Sequence, residues 1–266
     1  MKKYLLFLFL LTVAANLFSQ TTGSWRGKKC AVVLTYDDAL NVHLDNAIPV
    51  LDSLGLKGTF YLSGYMPGCK LRLNDWKKAS VKGHELANHT LFHPCIGNTP
   101  GREWVSPERD LGKYTVQRMV DETKMTNVLL EALDGKKPRT FAYTCGDMKI
   151  GDTFFIDQLK NDFIAARGVT PQMHTINQVD LYNVDCYPVN GETGDQLIEL
   201  VKKAMASNTL LVFLFHGVGG EHSLNVSLPA HSQLLHFLKQ HEKDIWITPM
   251  VTVAEYIKQN QSQQLK

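Results

Sequence analysis

The run Cys30-Ala31-Val32-Val33-Leu34-Thr35-Tyr36-Asp37-Asp38 decides how the rest of the chain is read. From Cys30 to Tyr36 it carries no charge and is rich in β-formers, the pattern of a strand buried on both faces of a parallel sheet. It ends on two adjacent carboxylates. At the C-terminal end of such a strand, one carboxylate can take a metal while its neighbour stays free for proton transfer.

Outward from this strand, apolar runs alternate with helical spacing. A helix is expected over 43–54, where Leu44, Ala47, Ile48 and Leu51 share a face and Gly55 follows. Gly58 to Leu62 reads as a strand, 73–81 as a helix, and 83–88 leads into a pair of histidines. The longest helical pattern covers 112–133, with Gly135 beyond its end. Then follow a strand over 139–143, a helix over 153–160, a strand over 162–167, an extended stretch over 181–187 and a helix over 194–206. A continuous apolar strand covers 209–215. Pro229 opens a helix to about His241, a strand covers 244–248, and a last helix begins at Val251, with a frayed polar tail expected from Lys258. Fully apolar strands alternating with helices predict an α/β fold. Their number predicts a distorted or partly open (β/α)7-8 barrel, with chemistry at the strand C-terminal ends.

At 266 residues and 44% hydrophobic, the chain suffices for one large core. Lys2 and Lys3 before the apolar run from Tyr4 to Val13, with Ala14, Ala15 and Ser19 beyond, read as a secretory signal over 1–20. A single catalytic domain is expected over 21–266, exported to the periplasm, cell surface or medium, with no membrane span in the mature chain. The 28 basic and 26 acidic residues become 26 of each once Lys2 and Lys3 are removed. A neutral surface gives no footprint for nucleic acid. Cys30, Cys69, Cys95, Cys145 and Cys186 are scattered without a CxxC, so at most two pairs form and one is left over. Cys145 reads first as a small buried residue, with a disulfide or a site role as the alternatives.

His89 and His93 stand four residues apart in His89-Thr90-Leu91-Phe92-His93. Pro94 disfavours a helical His93, so a short turn is expected there. Asp38 with two histidines makes a common three-ligand set for a catalytic zinc. His84-Glu85-Leu86-Ala87-Asn88-His89 has one residue too many for the helical zinc-protease motif, so its histidines miss a common face. The long connection from Pro94 to about Asp110 reads as a substrate-side loop, with Trp104 and also Tyr65 as candidate sugar-stacking platforms. His174 and His222 lie in loops without a supporting motif.

Three segments, in this order, resemble the polysaccharide deacetylase family, also called the NodB-homology or carbohydrate esterase family 4 group. Thr35-Tyr36-Asp37-Asp38 resembles its first motif, which implies Asp37 as general base and Asp38 as metal ligand. His89-Thr90-Leu91-Phe92-His93 resembles the second, with both histidines as ligands. Leu214-Phe215-His216 resembles the last, with Leu214 lining the acetyl pocket and His216 as general acid. The resemblance implies a zinc enzyme, with cobalt or nickel able to substitute, that removes acetyl groups from a carbohydrate. Its substrate would be an N-acetylhexosamine polymer or an acetylated glycan.

The third-motif stretch, Phe141-Ala142-Tyr143-Thr144-Cys145-Gly146-Asp147, carries Ala142 where the family has an arginine that orients the base. By the same resemblance, Tyr143 and Cys145 border the substrate and the Cys145 N–H faces the oxyanion. Asp185, in Tyr182-Asn183-Val184-Asp185-Cys186-Tyr187, is the candidate to orient His216. The altered third motif motivates an alternative, a catalytically impaired member of the same fold that binds glycan. Retention of Asp37 and His216 argues for hydrolysis.

Overall fold

The computed structural model describes residues 24–264; the signal expected over 1–20 lies outside the described residues. The first half of the fold runs β1 Cys30–Asp37, α1 Ile48–Ser53, β2 Thr59–Leu62, α2 Pro67–Lys70, α3 Leu73–Val81, β3 Glu85–Asn88, α4 Val116–Asp134 and β4 Thr140–Ala142. A π-helical segment, His43–Ala47, leads into α1. The second half runs β5 Lys149–Ile150, β6 Thr153–Phe154, β7 Ala165–Arg167, β8 Tyr187–Pro188, α5 Gly194–Ser207, β9 Leu210–Phe215, β10 Gly217–Val218, β11 Asn225–Val226, α6 Leu228–Gln240, β12 Ile245–Ile247 and α7 Met250–Gln264.

Eight strands form one parallel sheet in the order β7-β4-β3-β2-β1-β9-β8, with β12 beside the first half of β1. The edges β7 and β8 do not pair directly. Residues 181–186 run between them, tied to β7 by Val184 N–H to Ala166 O at 2.9 Å and Gly168 N–H to Val184 O at 2.9 Å. The sheet is thus a curled, partly open barrel.

Every residue of β1 is buried because both faces are covered. Cys30, Val32, Leu34 and Tyr36 face the outer core under the helices, with Leu197, Val201, Leu234 and Leu238. Ala31 and Val33 face the barrel interior, where Met250, Val253, Ala254 and Ile257 of α7 pack. The start of α7 meets the N-terminal ends of two strands: Met250 N–H donates to Thr59 Oγ1 at 2.8 Å and Val251 N–H to the buried Glu85 carboxylate at 2.9 Å. The end of the barrel opposite the catalytic candidates is therefore closed.

At the other end, Tyr36 pairs in register with Phe60 and Phe215 on the flanking strands. It stacks on both, with ring centroids 4.8 Å and 5.2 Å away. Such aromatic pairs contribute roughly 0.5–1.5 kcal/mol each beyond the area they bury. They fix the strand end from which Asp37 projects inward.

Three expectations are corrected. Residues 153–160 are not a helix: Gly151 turns the chain at φ +56, β5 and β6 pair, and only Phe155–Gln158 forms a 3-10 turn. Phe155, Ile156 and Leu159 are buried there beside Phe141, Tyr143 and Phe163. Residues 181–187 are not extended throughout, because Asp180 Oδ1 accepts the Tyr182 N–H at 2.9 Å and turns the chain before β8. The tail from Lys258 does not fray within the described residues. Gln261 Nε2 donates to Ile176 O and Val179 O, at 2.8 and 2.9 Å, and holds α7 to the barrel floor.

Candidate active site

Asp37 and Asp38 leave β1 through a tight turn in which Asp38 (φ +79) and Ala39 (φ +57) are both left-handed. Backbone of this kind costs roughly 1–3 kcal/mol per residue and persists only where surroundings enforce it. Gly68 is part of that enforcement. A Cβ there would stand 2.1 Å from Ala39 O, so only glycine lets α2 close over the turn.

The histidine turn is braced from α4. Asn88 Nδ2 donates to Thr123 O and Asn127 Oδ1, while its Oδ1 accepts the Thr90 N–H at 2.8 Å. Phe92 N–H donates to Glu122 at 2.9 Å, and His93 N–H to Thr90 Oγ1 at 2.9 Å. His93 is left-handed at φ +54, a turn rather than a helix interior.

This architecture brings Asp38, His89 and His93 together. Asp38 Oδ1 lies 3.2 Å from His93 Nε2 and 3.5 Å from His89 Nε2, and the three ligand atoms lie within 4.8 Å of one another. His89 Nδ1 donates to Ala142 O at 2.8 Å, which leaves its Nε2 lone pair facing Asp38. Burial lowers the His89 pKa to about 4, so the ring is neutral, the form that ligates a cation. Burial also opposes charge on His93, but Asp38 beside it outweighs that and raises its pKa. A second cluster, His93 with Cys95 and Cys145, offers no thiolate because the two cysteines form a disulfide.

Asp37 has a different partner. The fully buried Arg167 donates from Nη2 to both Asp37 oxygens, at 2.6 Å to Oδ1. Burial alone would raise the Asp37 pKa, but Arg167 first, then His89 and His216, hold it below the usual carboxylate range. Arg167 ends β7 and stands beside Ala142 in the β4–β7 register. Asp37 therefore has an arginine partner, delivered from the strand next to β4. One buried carboxylate thus balances one buried guanidinium. The signal available in the sequence was a cation closing a short apolar strand, since arginine is rarely buried without a partner.

His216 follows β9, with Nε2 4.0 Å from Asp38 Oδ2 and Nδ1 buried without a hydrogen-bond partner among the described residues. Its carbonyl accepts from the buried His43 Nε2 at 2.7 Å. Burial lowers its pKa, against the opposing pull of Asp37 and Asp38. Asp185 does not reach it, which corrects the expected orienting pair. The Asp185 carboxylate instead meets His174 Nε2 at 2.8 Å, because the turn at Asp180 swings this segment towards His174.

A cavity of about 720 Å³ opens over these groups, with Leu214, Trp104, Tyr65, Tyr143, Cys145 and His222 also on its wall. Trp104 is 61% exposed, its ring 6.3 Å from that of His93, and so presents a free face. One face of Tyr65 is covered by Arg109, 3.8 Å from its centroid. The Tyr143 side chain is buried and its hydroxyl donates to Tyr182 O at 2.7 Å. Cys145 is not a free buried thiol. Its bond to Cys95, at a left-handed φ of +55, ties the histidine turn to the loop after β4. Arg102 adds to that tie with Nη2 to Cys145 O at 3.0 Å and Nη1 to Asp147 at 2.6 Å.

Among known proteins, the model of the polysaccharide deacetylase family matches residues 26–161. A curated relative, the uncharacterized protein YlxY of Bacillus subtilis, is 29% identical over 109 residues, which are 41% of this chain and 29% of that protein. The match thus spans less than a third of the relative's length. A crystal structure described as a putative polysaccharide deacetylase from Mycobacterium smegmatis superposes with a TM-score of 0.63 at 16% identity, covering 90% of this chain and 94% of that one. The peptidoglycan deacetylase PdaC from Bacillus subtilis gives 0.51 at 14% identity over 90% and 96%. BA3943 from Bacillus anthracis, described as a pseudoenzyme of carbohydrate esterase family 4, gives 0.52 at 18% identity over 86% and 66%. At these identities the structural likenesses bear on the fold.

Proposed function

The chain belongs to the polysaccharide deacetylase family, and from that premise we propose that it is a metal-dependent hydrolase that removes acetyl groups from a carbohydrate. The observation that carries this reading is the pairing of Asp37 with Arg167 beside the Asp38, His89 and His93 cluster, with His216 on the far side of Asp38.

The cluster suits a divalent cation. Asp38 Oδ1 is buried and has no hydrogen-bond partner among the described residues, an acceptor that needs a counter-charge. Two imidazoles and a carboxylate are a zinc donor set, and cobalt or nickel also fit it. When bound, such an ion acts as a Lewis acid on the acyl carbonyl and acidifies water. That need follows from Asp37 itself. A carboxylate held ionised by Arg167 is well oriented but weakly basic, so the water it deprotonates must already be acidified.

The protein's own groups supply the rest. Asp37 takes the proton of the attacking water, and His216 gives one to the departing sugar nitrogen or oxygen. Leu214 bounds the acyl methyl group, the Cys145 N–H donates to the carbonyl oxygen, and Trp104 stacks on a sugar ring. Tyr143 supports the wall from within. What favours hydrolysis over a glycan-binding role is Arg167, which provides at the base what Ala142 lacks. Export fits both a polymeric glycan substrate and the Cys95–Cys145 disulfide, since such bonds persist in oxidising compartments. Among the described residues no helix is long and apolar enough to cross a membrane.

The test is acetate release by zinc-loaded and chelator-stripped protein from chitooligosaccharides, peptidoglycan fragments and acetylated xylan. Zinc-dependent release from one class supports the reading and separates amide from ester substrates. His89→Ala and His93→Ala should each lose metal and turnover together. No release from any of the three, with metal confirmed bound, favours the glycan-binding alternative.

A further inference from the structure

Four imidazoles line the cavity, and the scheme above uses three of them; the fourth is His222. Its loop is held in place by several contacts. Glu221, left-handed at φ +67, turns its carboxylate onto Asn41 Nδ2 at 2.7 Å and Val42 N–H at 2.8 Å. Asn225 Oδ1 accepts the Gly220 N–H at 2.9 Å. The loop is thereby fixed to the segment just after the Asp37-Asp38 turn.

The ring is fixed as well. His222 Nδ1 accepts the Leu224 N–H at 3.0 Å, so a neutral ring must carry its hydrogen on Nε2. The ring stacks on His216, with centroids 4.6 Å apart and planes 15° from parallel. Its Nε2 lies 4.0 Å from Asp38 Oδ2, the same distance as His216 Nε2. That is beyond the 2.7–3.2 Å of a hydrogen bond. His222 thus offers an oriented donor, unclaimed by Asp38, in a side chain that is 31% exposed at the cavity wall.

We propose that His222 is a substrate-binding residue whose Nε2–H donates to a sugar oxygen on the leaving-group side of the scissile bond, beside the proton that His216 delivers. This rests on the hydrolase reading and deepens it. The site then selects acyl groups whose carrier has an oxygen acceptor next to the acylated atom. A donor left unpaired by a carrier lacking that acceptor is a strong basis for rejection.

The test compares His222→Phe, which keeps a stacking ring but has no donor, with His222→Gln, whose amide nitrogen reaches to about the same place. Zinc content, kcat and KM are measured on whichever of tetra-N-acetylchitotetraose, a muropeptide fraction or acetylated xylotetraose the wild type hydrolyses fastest. In His222→Phe, KM should rise about tenfold or more with kcat little changed, the mark of lost binding rather than lost chemistry. His222→Gln should recover most of that loss, and both variants should keep their zinc. An unchanged KM in His222→Phe overturns the proposal, and so does loss of zinc, which would make His222 a support of the metal site. If the zinc-loaded wild type hydrolyses none of the three, the hydrolase reading fails separately. His222 is then judged by calorimetric affinity for the same oligosaccharides, where equal affinity in wild type and His222→Phe overturns it.

Discussion

Arg167 Nη2 donates to both carboxylate oxygens of Asp37, 2.6 Å from Oδ1, with both side chains buried in the barrel. One contact therefore sets the orientation of the proposed base and keeps it charged. Removing the guanidinium takes away the largest of the charges that oppose burial, so the Asp37 pKa rises.

Arg167→Ala should lower kcat/KM about a hundredfold or more and move the acid limb of the pH profile to higher pH, because ionised Asp37 is then reached only there. Stability should fall by roughly 3–5 kcal/mol, as when one partner of a buried ion pair is lost. Arg167→Lys should lie between, keeping the charge but not the planar donor geometry. Since Ala142 is the register partner of residue 167, adding Ala142→Arg to Arg167→Ala should restore part of the activity. An acid limb that stays in place in Arg167→Ala would show that the pair does not tune the base.

Asp185→Asn should leave both limbs of that pH profile where they are, because this carboxylate bonds to His174 rather than to His216. The cost should be confined to stability, about 1 kcal/mol for one hydrogen bond near the surface. A shifted alkaline limb in Asp185→Asn would reinstate it as the partner of His216.

The sheet and most helices were legible in the sequence because their signals are local. The apolar run into Asp37 reads as β1, the spacing over 73–81 as α3, and the run before His216 as β9. The turn at His93 followed from Pro94. Arg167 was not legible as a site residue because the register that sets it beside Ala142 joins strands with a hairpin and a 3-10 turn between them. The Cys95–Cys145 bond was hidden for a similar reason, since its ends are 50 residues apart and meet only once α4 has folded back. Residues 153–160 misled because aromatics packed singly into a core imitate one turn of an amphipathic helix.

The Cys95–Cys145 bond closes a long loop around α4 and anchors the turn that carries His93. For a loop of this length, chain entropy predicts stabilisation of about 4 kcal/mol. Cys95→Ser with Cys145→Ser should lower the unfolding free energy by roughly half of that or more, since engineered and native bonds deliver unevenly. The pair should also weaken zinc affinity relative to the oxidised wild type, as His93 loses the tether two residues on. Reduced wild type should match the double variant in both measurements, and zinc affinity unchanged in both would confine the bond to a stabilising role.

His43 and His231 are buried and neutral, and burial lowers their pKa values to about 4 and about 3. An unfolded histidine titrates near ~6.5, so below that pH the unfolded chain binds protons that the native state refuses. The native state therefore keeps its full margin above about 6.5 and loses it as the pH falls from there towards 4. One pH unit below the unfolded value, each such histidine costs about 1.4 kcal/mol, so the pair should cost about 3 kcal/mol at pH 5.5. Urea unfolding at pH 7.5 and pH 5.5 reads this loss together with that of His84 and His89, which burial also lowers to about 4, and a variant separates one ring from the sum. His231→Gln should start less stable, because the Tyr36 hydroxyl loses its 2.8 Å partner, yet lose about 1.4 kcal/mol less than wild type over the same interval. A loss in His231→Gln as large as that of the wild type over this interval would mean that the His231 ring is protonated inside the fold.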